Sequence, residues 1–121
     1  MTGYTFTLPG VAVVPYVRMT QRGKFCDPAA LRYLASQREL KALFGLAMRQ
    51  RAPLPGQTPL YVYILLRRPT RLHTCDLDNL VKALLDAMNK VVYPDDRWID
   101  VLTARRELGP AEVFIEVGRL L

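Results

Sequence analysis

The chain has 121 residues, half of them hydrophobic and 23% charged, which suits one domain with a single core and excludes an intrinsically disordered chain. No apolar run approaches the roughly 18–20 residues of a membrane span, and the N-terminus lacks a basic stretch leading into an apolar one, so neither a membrane anchor nor a signal peptide is expected. The net charge is +6, and the two cysteines, Cys26 and Cys75, have no metal-binding spacing, so a reduced, cytoplasmic protein is expected.

Residues 4–8, Tyr-Thr-Phe-Thr-Leu, alternate and predict a strand that Pro9-Gly10 ends. Residues 10–26 read as irregular, punctuated by Pro15 and Gly23. Asp27-Pro28 is an N-cap followed by a first-turn proline, so a helix is expected to about residue 50. Its inward residues would be Leu31, Leu34, Leu40, Leu43, Phe44 and Ala47. Arg32, Arg38, Lys41 and Arg49 would be exposed. Pro53, Pro55, Gly56 and Pro59 make a loop. Leu60 to Leu66 is the strongest strand signal and apolar enough to be central. A basic loop with Arg67, Arg68 and Arg71 follows. The second helix is expected over Leu77–Val91, with Leu77, Leu80, Val81, Leu84, Leu85 and Met88 on one arc. Tyr93-Pro94-Asp95-Asp96 reads as a turn, and Trp98–Ala104 and Glu112–Val117 as two late strands. The pattern predicts a single α/β (α+β) domain, with a mixed sheet of about four strands packed against two main helices.

The charge is unevenly spread. Residues 1–75 hold 11 Lys and Arg against two acids, Asp27 and Glu39, whereas residues 76–121 are net negative. A basic half steers and holds nucleic acid through its phosphates, or is a solvated surface with no partner. Within that basic context Asp76-Leu77-Asp78-Asn79 opens the second helix. Asp76 and Asp78 suit a hard cation such as Mg²⁺, which is commonly held by one or two carboxylates plus waters and phosphate oxygens. The competing reading is a helix cap, Asp76 at N-cap and Asp78 in the first turn. Asp78, Lys82 and Asp86 step by four on the polar side. Lys82 is either half of an i, i+4 ion pair or a fixed charge against a phosphate, with Asp86 its expected structural partner.

Asp95 and Asp96 suit an ordinary polar turn. They become a third carboxylate only if the chain returns from the far end of the helix toward its start. Asn79 can cap or orient a ligand. His73 reads as a solvent-exposed side chain rather than a general base. Tyr93 and Trp98 read as core anchors rather than base-stacking rings. The segment from Pro15 to Lys24, with Arg18, Arg22 and Lys24, can track a phosphate backbone or serve as plain surface.

Asp76-Leu77-Asp78-Asn79-Leu80, Lys82, Asp86 and the later Asp95-Asp96 resemble the signature of RusA-type Holliday junction resolvases. The opening Tyr-Thr-Phe-Thr-Leu-Pro strand, the Arg22-Gly23-Lys24 loop and the chain length are similar too, so the likeness spans nearly the whole chain as one domain. It implies a Mg²⁺-dependent endonuclease, with Mn²⁺ able to substitute, acting as a homodimer on four-way DNA junctions. Such a protein would work at a bacterial nucleoid or in a phage-infected cell. The implied metal ligands are Asp76, Asp78 and Asp96, and the implied essential lysine is Lys82, with Asp95 and Asn79 as further candidates. Cys75 stands where that pattern has an arginine, and Arg67, Arg68 or Arg71 is a candidate for the missing phosphate contact. Two other readings stay open: a metal-dependent nuclease for flaps or forks, and a non-catalytic nucleic-acid-binding module.

Overall fold

The computed structural model describes residues 3–20, 27–70 and 75–120. Strand β1, Gly3–Pro9, alternates as its sequence predicts, with Phe6 and Leu8 buried. Gly10 ends it with a left-handed φ of 71° that glycine adopts without strain. Helix α1, Pro28–Met48, starts where the sequence places its cap: Asp27 Oδ1 accepts from the Ala29 N–H at 2.9 Å. Strand β2 is Leu60–Arg68, helix α2 is Leu77–Met88, β3 is Ile99–Leu108 and β4 is Glu112–Arg119. A single 3-10 turn, Asp96–Trp98, precedes β3.

The four strands form one mixed sheet in the order β1-β4-β2-β3. β2 is central, as its apolar run predicts. It runs parallel to β3 and antiparallel to β4. A parallel pair cannot be closed by a tight turn, and α2 supplies the crossover between β2 and β3. Leu60, Val62, Ile64 and Leu66 of β2 and Val113, Ile115 and Val117 of β4 share one core with both helices. The opposite face carries half-buried Tyr61, Tyr63 and Phe114. The Tyr61 ring crosses the backbone at Gly118 so closely that a Cβ there would lie 2.7 Å from its Cε1.

Two expectations are corrected. The inward face of α1 is Ala30, Tyr33, Gln37, Leu40, Phe44 and Met48, and Leu31 is 45% exposed. Apolar residues lie all round this helix, so their spacing could not single out the face. The second correction is that α2 ends at Met88 rather than near Val91. Lys90 takes a left-handed φ of 66°, and its N–H donates to the Tyr93 carbonyl at 2.7 Å. Val92 and Tyr93 are fully buried there, and the Tyr93 hydroxyl donates to the Leu85 carbonyl at 2.9 Å. Burying that pair turns the chain back at once. Tyr93 is thus the anchor its sequence context suggests.

Among the described residues no helix is long and apolar enough to cross a membrane.

Candidate functional site

The reversal after Met88 decides where the later acids go. Asp96 lines an open cavity of about 540 Å³ together with Asp78 and Lys82, over a floor that includes Leu77, Val81, Leu85 and Leu102. The loop therefore returns along α2 to share a surface with its first two turns. Asp95 does not line this cavity. Its Oδ1 accepts from the Arg97 N–H at 3.0 Å, and its Oδ2 lies 3.4 Å from the Arg97 guanidinium. Asp95 is thus the cap of the 3-10 turn, which leaves Asp96 facing the cavity.

Asp76 occupies the N-cap position of α2, but its side chain makes no cap hydrogen bond. Both Asp76 and Asp78 are exposed. Asp78 Oδ1 accepts from the Asn79 N–H at 3.0 Å, so Asp78, not Asp76, satisfies an orphan amide of the first turn. Asp76 does not line the cavity of Asp78 and Asp96. Among the described residues no three of His, Cys, Asp and Glu come together as a metal cluster. Two carboxylates on one open cavity still fit a divalent cation of the Mg²⁺ type, which completes its shell with water and phosphate oxygens. The negative crowding is physical. Burial chiefly, then the Asp95 carboxyl and the Asp86 charge, raise Asp96 above the ordinary carboxylate range, and Lys82 pulls the other way. Asp95 is lowered, chiefly by the Arg97 amide.

These shifts predict a trade between stability and site chemistry. An Asp96 whose folded pKa lies above its unfolded value destabilises the fold when ionised. That cost is fully present above the folded pKa and disappears below the unfolded one. Asp96→Asn is therefore expected to keep or raise the metal-free melting temperature at pH 7, by roughly 1–3 °C. The gain should shrink as pH falls into the ordinary carboxylate range. A melting temperature several degrees lower at pH 7 would contradict this account.

Lys82 is exposed, and the expected ion pair with Asp86 does not form. The ion pairs among the described residues are Arg67 with Glu107 and Glu112, Arg97 with Asp95, and Arg105 with Glu107. Lys82 Nζ instead sits 4.6 Å from the centroid of the Tyr16 ring. Asp86 Oδ2 accepts from the buried Tyr33 hydroxyl at 2.9 Å, and this burial and bond hold the tyrosine well above its usual range. Lys41 Nζ donates to the Asp86 carbonyl at 3.0 Å, placing a cation at the negative end of α2. Gln37, buried, donates to the Ala83 carbonyl at 2.9 Å. Three polar bonds from α1 thus fix the helix that carries Asp78 and Lys82.

The basic candidates divide. Arg18 is exposed. Arg67 is held at 2.8 and 2.7 Å by Glu107 and Glu112, so its charge is already matched. Arg68, with Arg32 and Cys75, lines a second cavity of about 320 Å³. Arg22, Lys24, Arg71 and His73 lie outside the described residues. Trp98 is half-buried, with the Arg97 guanidinium 5.5 Å from its ring. Sequence reasoning missed Arg106, whose Nη1 donates to the Cys75 carbonyl at 2.9 Å, one residue before Asp76. It also missed Tyr16 and Tyr33, isolated aromatics that no periodicity marks.

No curated protein matches the chain. Residues 11–118 match the family model described as Endodeoxyribonuclease RusA. That span takes in the acidic motif, Lys82, the Asp95-Asp96 turn and all but the first strand, and the chain belongs to the RusA endodeoxyribonuclease family.

Proposed function

We propose that this protein is a Mg²⁺-dependent endonuclease that resolves four-way DNA junctions by paired, symmetric cuts. The observation that carries the reading is the cavity shared by Asp78, Lys82 and Asp96, open to solvent, in a chain whose first 75 residues are strongly basic. Asp78 and Asp96 would hold the cation, with Asp76, two residues before Asp78, and Asn79 as further donors. When bound, such an ion supplies an activated water and neutralises charge on the phosphate. The rest falls to the chain itself. Lys82 sets a fixed positive charge against the scissile phosphate. Arg18, Arg22, Lys24, Arg68 and Arg71 hold junction arms through phosphates, which reads shape rather than sequence.

A homodimer belongs to this reading, because a four-way junction and an isologous pair share a two-fold axis. β3 is an outer strand and exposes Val101, Leu102 and Leu108. Antiparallel self-pairing about Thr103 would set Asp100 opposite Arg106 and bring the two cavities, each lined by Leu102 and Ala104, to one side.

The test compares a synthetic four-way junction, a replication fork, a flap and a linear duplex, with Mg²⁺, Mn²⁺ or EDTA. Two cuts per junction in strands of like polarity, metal dependence and twice the chain mass in sedimentation are expected. Faster cleavage of forks or flaps would give the protein that substrate instead. No cleavage of any DNA, with no thermal stabilisation by Mg²⁺, would reduce it to a binding module.

A further inference from the structure

The segment from Val11 to Thr20 has neither helix nor strand, yet one residue of it is tied to α2 at two points. The Tyr16 N–H donates to the Asn79 carbonyl at 3.0 Å. Its ring lies 4.6 Å from Lys82 Nζ. A third contact fixes the ring's tilt: it meets Tyr33 edge-on, with centroids 5.6 Å apart and planes at 88°. Tyr33 is itself 3% exposed and anchored on Asp86. The Tyr16 ring is therefore held by its backbone and by a buried neighbour, and it presents its π system to the ammonium.

Lysine is a flexible four-carbon stem with a compact charge. With Asp78 and Asp86 four residues away on either side, its default on a helix surface is an ion pair with one of them. Such a pair would spend the charge on a carboxylate. A ring face attracts an ammonium without supplying a hydrogen-bond acceptor, so all three N–H donors stay available. We propose that Tyr16 is a positioning residue for Lys82: its ring holds the ammonium beside the Asp78–Asp96 cavity and out of the ion pairs on offer. This rests on the reading of Lys82 as the group that meets the scissile phosphate. It also ties the basic N-terminal segment to the site, since Arg18 lies two residues beyond the ring.

The test uses Tyr16→Phe, which keeps the ring, and Tyr16→Leu, which removes it, each with Lys82 and with Lys82→Ala. The first readout needs no substrate: the ring shifts the Lys82 ε-methylene protons upfield in NMR. The shift should persist in Tyr16→Phe and vanish in Tyr16→Leu. The second readout is single-turnover cleavage at saturating junction with Mg²⁺. Tyr16→Leu should slow cleavage about 10-fold at unchanged junction affinity. Tyr16→Phe should stay within about 2-fold of the parent, and Tyr16→Leu should cost nothing further in the Lys82→Ala background. An unshifted lysine resonance in the parent, a full-rate Tyr16→Leu or an additive loss in the double variant would overturn the proposal. Full-rate cleavage by Lys82→Ala would instead overturn the role given to Lys82, leaving the NMR contact as a separate fact.

Discussion

Asp78→Asn is expected to slow junction cleavage by about 10³-fold or more while junction affinity stays the same or rises. The first half of this follows from the site. Asp78 is one of two carboxylates on the cavity, and an amide oxygen holds a hard cation far less well than a carboxylate does. Losing several kcal/mol of transition-state charge stabilisation is a loss of that size. The second half follows from charge, since removing an anion from a phosphate-binding surface weakens no contact and relieves repulsion. Stability should barely change. Asp78 is exposed in the first turn of α2, where it accepts from the Asn79 N–H, and a favourable charge there contributes about 0.3–1 kcal/mol. Full-rate cleavage by Asp78→Asn would remove the active site from this cavity.

Phe44→Ala is expected to cost about 3–5 kcal/mol of folding stability. Phe44 is fully buried on the inward face of α1. Its ring meets Phe6 of β1 edge-on, with centroids 5.4 Å apart and planes at 85°. Truncation leaves a hole between a long helix and an edge strand, and neither can close it without breaking other contacts. A loss of that size is a large part of the roughly 5–15 kcal/mol that holds a domain together. Urea unfolding should show a much lower midpoint at unchanged slope. A cost below about 1 kcal/mol would mean that α1 and β1 pack less tightly than their rings imply. Cleavage by the fraction still folded should persist, because Phe44 does not line the Asp78–Asp96 cavity.

Much of the frame was legible because local signals and tertiary demand agreed. The run Leu60–Leu66 reads as a central strand and is one. Asp27-Pro28 reads as a helix start, and the Asp27 side chain caps it. The arc of α2 reads true, since Leu80, Val81, Leu84 and Met88 are all buried. The failures have physical causes. Gln37 is polar by type and buried by circumstance, because the Ala83 carbonyl waits for its amide. Leu31 is apolar by type and exposed, since α1 has more apolar residues than one face can take. The end of α2 is set by Tyr93, eight residues after the acceptor of its hydroxyl, and no window centred on the helix sees that. Lys82 was expected to pair with Asp86. Its aromatic partner lies 66 residues earlier, in a segment without periodicity. The return of Asp96 to the start of α2 was a geometric demand that the acidic motif posed and only the folded chain could answer.

The place of β4 in the sheet has a consequence for how the molecule is made. Gly3 pairs with Gly118, and β1 touches the sheet only through β4. In a nascent chain, made at about 5–20 residues per second, β1 can therefore join the sheet only once β4 has been synthesised, although Phe6 can meet Phe44 of α1 before then. Pairing across such a separation is also slow to search for. The motif with Asp76, Asp78 and Lys82 leaves the ribosome before the strand that closes the core. β1 thus waits for its partner strand while everything between the two is made, and its unpaired edge is open to mispairing in the meantime.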